Sequence, residues 1–141
     1  MLVRHVMNRK VVTAKLNTTL REAAAVMSKL NIGSLIIVED EKISGIITST
    51  DILKAIANGK DVETTLVEEI MSKPVIAIDP DKKVEDAVNI MLEHKIKKLP
   101  VVEEDKLIGI ITASDIIAIE PKLIENIASL ISLKLPGYKG G

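Results

Sequence analysis

Apolar positions along this chain follow two rhythms. Leu20, Ala23, Ala24, Met27 and Leu30 fall three and four residues apart, as do Val84, Ala87, Val88, Met91 and Leu92. Each set predicts an amphipathic helix. Thr18 or Thr19 is placed to cap the first, with Glu22 near its first turn. Elsewhere the apolar residues are β-branched and run without interruption. Residues 35–38 and 43–47 are two such runs joined by the polar turn 39–42, which predicts a hairpin; 99–102, 103–106 and 107–111 write the same pattern again. The runs "VVTA" (11–14) and "VIAI" (75–78) predict short strands. One or two helical turns are expected at 2–7 and at 67–71, and closing helices at 50–57 and 114–119.

The two sets are one pattern used twice. Shifted by 64 positions, residues 3–53 lie on 67–117 without a gap, and 16 of the 51 pairs are identical. Among these are Met7/Met71, Met27/Met91, Leu35/Leu99, Gly45/Gly109, Thr48/Thr112 and Asp51/Asp115. An ungapped match of that length marks a duplication, and two copies are too few for a solenoid.

Each copy reads strand, helix, strand, strand, helix, so the expected fold is α+β: two tandem β-α-β-β-α repeats packed through their sheets with pseudo-twofold symmetry. The strands are apolar on both faces, and a sheet of that kind needs cover on both sides. Helices supply one cover and the other copy supplies the second. The expected organisation is repeat 1 at 1–57, a linker at 58–66, repeat 2 at 67–120, and a C-terminal helix with a frayed tail at 121–141. The tail shows helical spacing at Leu123, Ile124, Ile127, Leu130 and Ile131 and has no counterpart in the repeat.

Composition narrows the function classes. With 47% hydrophobic and 28% charged residues the chain is expected to pack a core. Tyr138 is the only aromatic residue, so stacking platforms for single-stranded nucleic acid are missing. A formal net charge of −1 gives no broad footprint for DNA. There is no cysteine, which excludes disulfides, thiolate metal sites and thiol catalysis. No apolar run reaches the roughly 20 residues that span a bilayer. A cytoplasmic protein is expected.

The most telling phrase is "GIITSTDIL" from Gly45, repeated as "GIITASDII" from Gly109. Two readings stand. In one it is a joint: the glycine permits close packing or a bulge, and Thr48-x-x-Asp51 and Thr112-x-x-Asp115 fit a capping box. In the other, free N–H groups at the helix start suit a phosphate, with Thr48 and Thr50, or Thr112 and Ser114, adding hydroxyl donors. A carboxylate beside a phosphate repels it, whereas it accepts from both hydroxyls of a ribose. Thr or Ser with Asp on one turn therefore matches a nucleoside phosphate better than a bare phosphate. The first strands and the crevice between copies offer an apolar slot for a base.

Two copies ending in G-h-h-T-x-[ST]-D-h-h, each preceded by "SLIIVED" or "KLPVVEED", resemble a tandem pair of CBS domains, also called a Bateman module. The resemblance covers about residues 2–120. It implies a compact module with two clefts that commonly bind AMP, ADP, ATP or S-adenosylmethionine. It places Asp51 and Asp115 on ribose hydroxyls, and Thr48, Thr50, Thr112 and Ser114 on ribose or phosphate. Ser34 and Lys98, each preceding the Leu of the second strand, would face a phosphate. The backbones of Thr13, Ala14, Ala77 and Ile78 would edge the adenine. The chain departs from family members that carry Arg or His near "LPVV": it has His94, Lys97 and Lys98 there, and the first copy has no cation in "NIGSLIIV". The two clefts are therefore expected to differ, the second favouring phosphorylated ligands.

Other chemistry is sparse. His5 and His94 are the only histidines and have no ligand spacing between them, so no metal site is expected. No Walker loop, dinucleotide glycine pattern, nucleophile–base pair or HExxH is present. An enzyme is not expected, and no cofactor is required. The expectation is a regulatory module whose effector is an adenosine-derived ligand, forming a homodimer and acting on a regulated protein that the residues do not identify. A constitutive dimeric scaffold with vestigial clefts, and a small nucleic-acid-binding regulator using Lys97 and Lys98, are the alternatives. Neither nucleic acid nor membrane is an expected partner.

Overall fold

The computed structural model describes residues 1–119 and 128; the expected C-terminal helix and tail lie outside the described residues. The order of elements is α1 (Val3–Val6), β1 (Thr13–Lys15), α2 (Leu20–Leu30), β2 (Ser34–Glu39), β3 (Lys42–Thr48), α3 (Ser49–Ala57), α4 (Val67–Ile70), α5 (Val84–His94), β4 (Lys98–Glu103), β5 (Lys106–Thr112) and α6 (Ala113–Ile119). The fold is α+β, with two copies of one helix–hairpin–helix plan.

The chain divides into two compact units, and the division does not follow the repeats. One unit is residues 12–75; the other joins residues 1–11 to residues 76–119. Each body is thus completed by the opening arm of the other repeat.

In the unit of residues 12–75 the sheet order is β1-β2-β3, β1 parallel and β3 antiparallel to β2. Leu20, Ala23 and Met27 of α2 and Ile52 and Ala55 of α3 pack with Leu35, Ile37 and Ile47 of the hairpin. The arm adds Val67, fully buried in the same cluster. Burying a Val side chain stabilises by about 1.5–3 kcal/mol. Main-chain bonds fix the arm in place: Val67 N–H donates to Thr18 O at 2.8 Å, and Ser72 exchanges two bonds with Ile46 at 2.9 and 3.0 Å.

The other unit repeats this with α5, α6, β4 and β5 around Val84, Ala87, Met91, Leu99, Val101, Ile111 and Ile116, and with Val3, Val6 and Met7 from the arm. Val3 N–H donates to Lys82 O at 2.8 Å, and Asn8 exchanges bonds with Ile110 at 2.8 and 2.9 Å.

The arms explain the glycines. A Cβ on Gly45 would stand 2.6 Å from Met71 Sδ and 3.0 Å from Ser72 O; one on Gly109 would stand 2.7 Å from Met7 Sδ and 3.0 Å from Asn8 O. Each glycine also sits at the edge of a bulge, where the register shifts after Ile37 or Val101. Close approach and bulge coincide at one residue.

Three expectations need correction. The hairpin turns are two residues, Asp40–Glu41 and Glu104–Asp105, not the four expected. Both residues of each turn take positive φ, 51° and 67°, the geometry that matches the twist of the flanking strands. The closing helices start one residue early, at Ser49 and Ala113.

The expected strand at 75–78 shrinks to a single parallel bridge between Ile78 and Val101. Ile78 N–H donates to Pro100 O at 3.0 Å and Val102 N–H to Ile78 O at 2.9 Å. The next rung on one side needs an N–H from Pro100, and on the other side one from Pro80. Proline has neither. The first repeat has Ile36 and Leu16 at these places, and its strand β1 forms.

Of the two possible caps for α2 it is Thr19 that acts. Its hydroxyl accepts from Glu22 N–H at 3.1 Å, and Glu22 Oε1 accepts from Thr19 N–H at 2.9 Å. The Thr19 N–H and then the Thr19 hydroxyl hold the Glu22 carboxyl below the ordinary carboxylate range.

Candidate functional site

The candidate residues sort cleanly between the units. Thr13, Ala14, Ser34, Thr48, Thr50 and Asp51 belong to residues 12–75, and Ala77, Ile78, Lys98, Thr112, Ser114 and Asp115 to the other unit. Each set can be followed within its own body.

The two hairpins bring the first pair together. Ser34 is the Cα partner of Thr48, and Lys98 of Thr112, at the open end of each hairpin. Partners across a ladder share a face, so Ser34 and Thr48 lie side by side, as do Lys98 and Thr112. Thr13 is the partner of Ile36, two positions along β2 from Ser34, and alternation puts it on that same face. The corner is closed by main chain: Ser49 N–H donates to Gly33 O at 3.0 Å and Ala113 N–H to Lys97 O at 2.8 Å.

Thr48 and Asp51 then form a capping box. Thr48 Oγ1 accepts from Asp51 N–H at 3.1 Å, and Asp51 Oδ2 accepts from Thr48 N–H at 2.9 Å. Thr112 and Asp115 repeat it at 3.1 Å for both bonds. The joint reading of the duplicated phrase is therefore correct as far as it goes. It accounts for only part of each carboxylate. Among the described residues no protein hydrogen bond reaches Oδ1 of Asp51 or Asp115, and both residues are half-buried rather than sealed. The box engages Oδ2 and leaves Oδ1 without a protein partner among the described residues, and the threonine hydroxyl, an acceptor in the box, can still donate. Thr50 and Ser114 are exposed.

The first-strand positions divide in two. Ala14 is the partner of Ile37 and packs against the core of its unit, and Ile78 is 5% exposed within the core of the other. The N–H and C=O of Ile78 are both engaged with β4. Alternation turns the corresponding groups of Ala77 to the unpaired edge. Ala77, and Thr13 in the first repeat, are thus the positions whose backbone groups point away from the neighbouring strand. A groove of about 350 Å³ between this edge and α5 takes in Ala77 and Ile78 with Asp79, Lys82, Asp86, Asn89 and Ile90, but none of Lys98, Thr112 or Asp115.

Arg4 escaped the sequence reading. It projects from α1 to Asp81 and Glu103, 77 and 99 positions away, a separation that no local pattern signals. These acceptors raise its pKa further, Glu103 foremost and then Asp81. His5 and His94 are both exposed. Among the described residues no group of three or more His, Asp or Glu is placed to hold a metal ion, and no helix is long and apolar enough to cross a membrane.

Known proteins share this fold. The CBS domain model matches residues 3–58 and again 67–122. A protein of Methanopyrus kandleri is 40% identical over 129 residues, which is 89% of this chain and 65% of that protein, so the chain spans about two thirds of its length. The crystal structure of Hypoxic Response Protein I with two coordinated zinc ions superposes with a TM-score of 0.78 at 32% identity, over 86% of this chain and all of that one. A CBS domain pair crystallised with 5′-methylthioadenosine and S-adenosyl-L-methionine superposes with a TM-score of 0.73 at 35% identity, over 89% of this chain and 96% of that one. With both repeats matched, the hairpins, caps and closing helices in their places, and solved domain pairs superposing on most of its length, this chain belongs to the CBS domain family and carries two copies of the domain.

Proposed function

We propose that the chain is a regulatory sensor of adenosyl ligands. CBS pairs are in general regulatory rather than catalytic modules, and the related pair described above holds two such ligands. One observation carries the reading: in both repeats a half-buried carboxylate is held through Oδ2 by a threonine N–H and has no protein donor on Oδ1 among the described residues. A carboxylate so held is an acceptor for a vicinal diol, and a ribose supplies one. Asp51 and Asp115 take the sugar. Thr48 with Thr50, and Thr112 with Ser114, lie against sugar or phosphate. The open backbone edges at Thr13 and Ala77 meet the base.

The two sites differ in charge at one matched place. Lys98 pairs with Thr112 where Ser34 pairs with Thr48. The second-repeat site therefore favours AMP, ADP or ATP. The first-repeat site favours ligands without phosphate, such as S-adenosylmethionine or 5′-methylthioadenosine. Binding shifts the population between arrangements of the module or its homodimer, and a partner protein reads the shift.

A thermal-shift panel tests this, with AMP, ADP, ATP, NADH, S-adenosylmethionine and 5′-methylthioadenosine against the full chain. A ligand at 100 times its Kd stabilises by about 2.7 kcal/mol, which raises the melting temperature by several degrees. A flat response to all six would leave the constitutive scaffold as the reading of the duplicated phrase. Binding of DNA or RNA that falls steeply with salt would favour the nucleic-acid regulator instead.

A further inference from the structure

Among the described residues the Arg4 clasp is found in one unit only. Shifted by 64, Arg4 falls on Glu68, Asp81 on Asn17, and Glu103 on Glu39. In the unit containing α5, Arg4 Nε and Nη2 donate to Asp81 Oδ1 at 3.2 and 3.1 Å, and Nη2 donates to Glu103 Oε2 at 2.6 Å. Arg4 N–H also donates to Pro80 O at 2.9 Å. A planar guanidinium thus occupies the notch between the segment before α5 and the end of the β4–β5 hairpin.

In the unit of residues 12–75 the same notch is an open groove of about 550 Å³. Lys15, Leu16 and Asn17 form one wall and residues 38–41 the other. The arm is not displaced there, since Val67 N–H is anchored to Thr18 O at the same 2.8 Å as Val3 N–H to Lys82 O. The arm differs in its side chain at the matched position. Glu68 stands where Arg4 does, and a carboxylate is repelled by a lip that carries Glu39 and Asp40.

We propose that this groove docks an arginine side chain of a partner protein, with Glu39 taking the guanidinium as Glu103 takes that of Arg4. Three features choose the occupant. Glu39 and Glu103 are the same residue in the same register, each opposite the hairpin lysine, Lys42 or Lys106. The carboxamide of Asn17 replaces the second carboxylate as an acceptor for the fork of a guanidinium. Half-buried Leu16 and Val38 offer an apolar floor for the methylenes of a long side chain. The ammonium of Lys15 in the wall, and acceptors spread over two walls, disfavour a compact divalent cation. The inference does not depend on the adenosyl reading.

The test is a titration of the ¹⁵N-labelled full chain with the blocked tripeptide acetyl-Gly-Arg-Gly-amide, alongside its neutral citrulline counterpart. Saturable amide shifts at 15–17 and 38–41 are expected with the arginine peptide alone. They should vanish in Glu39→Gln. They should vanish also in Glu68→Arg, where the chain's own side chain fills the groove. Arg4→Ala should open the matching notch and add shifts at 79–81 and 102–105. Absence of groove shifts at millimolar peptide overturns the proposal, as do equal shifts from the citrulline peptide or shifts that persist in Glu68→Arg. Should Glu39→Gln fail to fold, Glu68→Arg decides alone.

Discussion

Asp115 has two separable tasks, and two substitutions divide them. Its Oδ2 accepts from Thr112 N–H at 3.1 Å and caps the closing helix, while Oδ1 has no protein donor among the described residues. Asparagine keeps an acceptor for Thr112 N–H but brings no charge, and its NH₂ cannot accept from a hydroxyl. Alanine removes both functions. The lost capping bond costs about 1 kcal/mol, and at this chain length 1 kcal/mol lowers the melting temperature by about 3–5 °C. Asp115→Ala should therefore melt a few degrees below the wild type in the absence of ligand, and Asp115→Asn close to it. In ligand binding the two should converge. Charge-assisted hydrogen bonds to the ribose are worth about 1.5–3 kcal/mol, so both variants should bind AMP or 5′-methylthioadenosine roughly 10- to 150-fold more weakly. Calorimetric melting gives the first quantity and isothermal titration the second. An asparagine variant that binds like the wild type would show that the carboxylate does not hold the sugar, however well the helix is capped.

Gly109→Ala should destabilise by about 1–3 kcal/mol through the clash with Met7 and Asn8, read by urea denaturation. Paired with Met7→Ala it should show a coupling of about 0.5 kcal/mol or more, and simple additivity would mean the arm does not press on the glycine. Lys98→Ala should weaken ADP roughly tenfold, from about 1.5 kcal/mol of charge-assisted bonding, and leave 5′-methylthioadenosine unchanged; equal losses for both would refute a phosphate role. Glu22 should titrate below the ordinary carboxylate range by carboxyl NMR. Because its folded value is the lower one, its stabilisation of α2 is complete above the unfolded value and is lost as pH falls through the folded value, and Glu22→Gln should remove that acid-side dependence. An ordinary or raised Glu22 value would contradict the capping geometry.

Most of the fold was legible because its signals are local. Helical spacing placed α2 and α5 closely, and the apolar runs placed both hairpins. Turn length was not legible, since Asp40–Glu41 and Glu104–Asp105 lack the Asn-Gly or Asp-Gly pair that usually announces a two-residue turn. The apolar run at 75–78 predicts a strand that does not extend, because the missing N–H groups belong to Pro80 and Pro100, one on each side of the bridge. Both prolines stand in plain sight, but their effect depends on which rung they would fill. The threonine–aspartate box was foreseen as one of two readings, and the geometry makes it real while leaving Oδ1 for the other. The crossing of the arms was hidden, because an ungapped internal repeat suggests that each copy closes on itself. The one available hint was the glycine in each hairpin, too small for its apolar surroundings unless another backbone comes near.

That crossing bears on ancestry. A forerunner with a single repeat that did not close on its own arm would have had a bare strand edge at Ile46 or Ile110 and a hole where Val67 or Val3 now sits. Two such molecules could have healed each other only by trading their first segments, at a yield set by concentration. Fusing them head to tail makes the trade internal, and loop-closure entropy then rises only with the logarithm of the connecting length. The present polypeptide has the form expected of a domain-swapped dimer joined in one chain, so that removing either repeat strips the other's body of its arm.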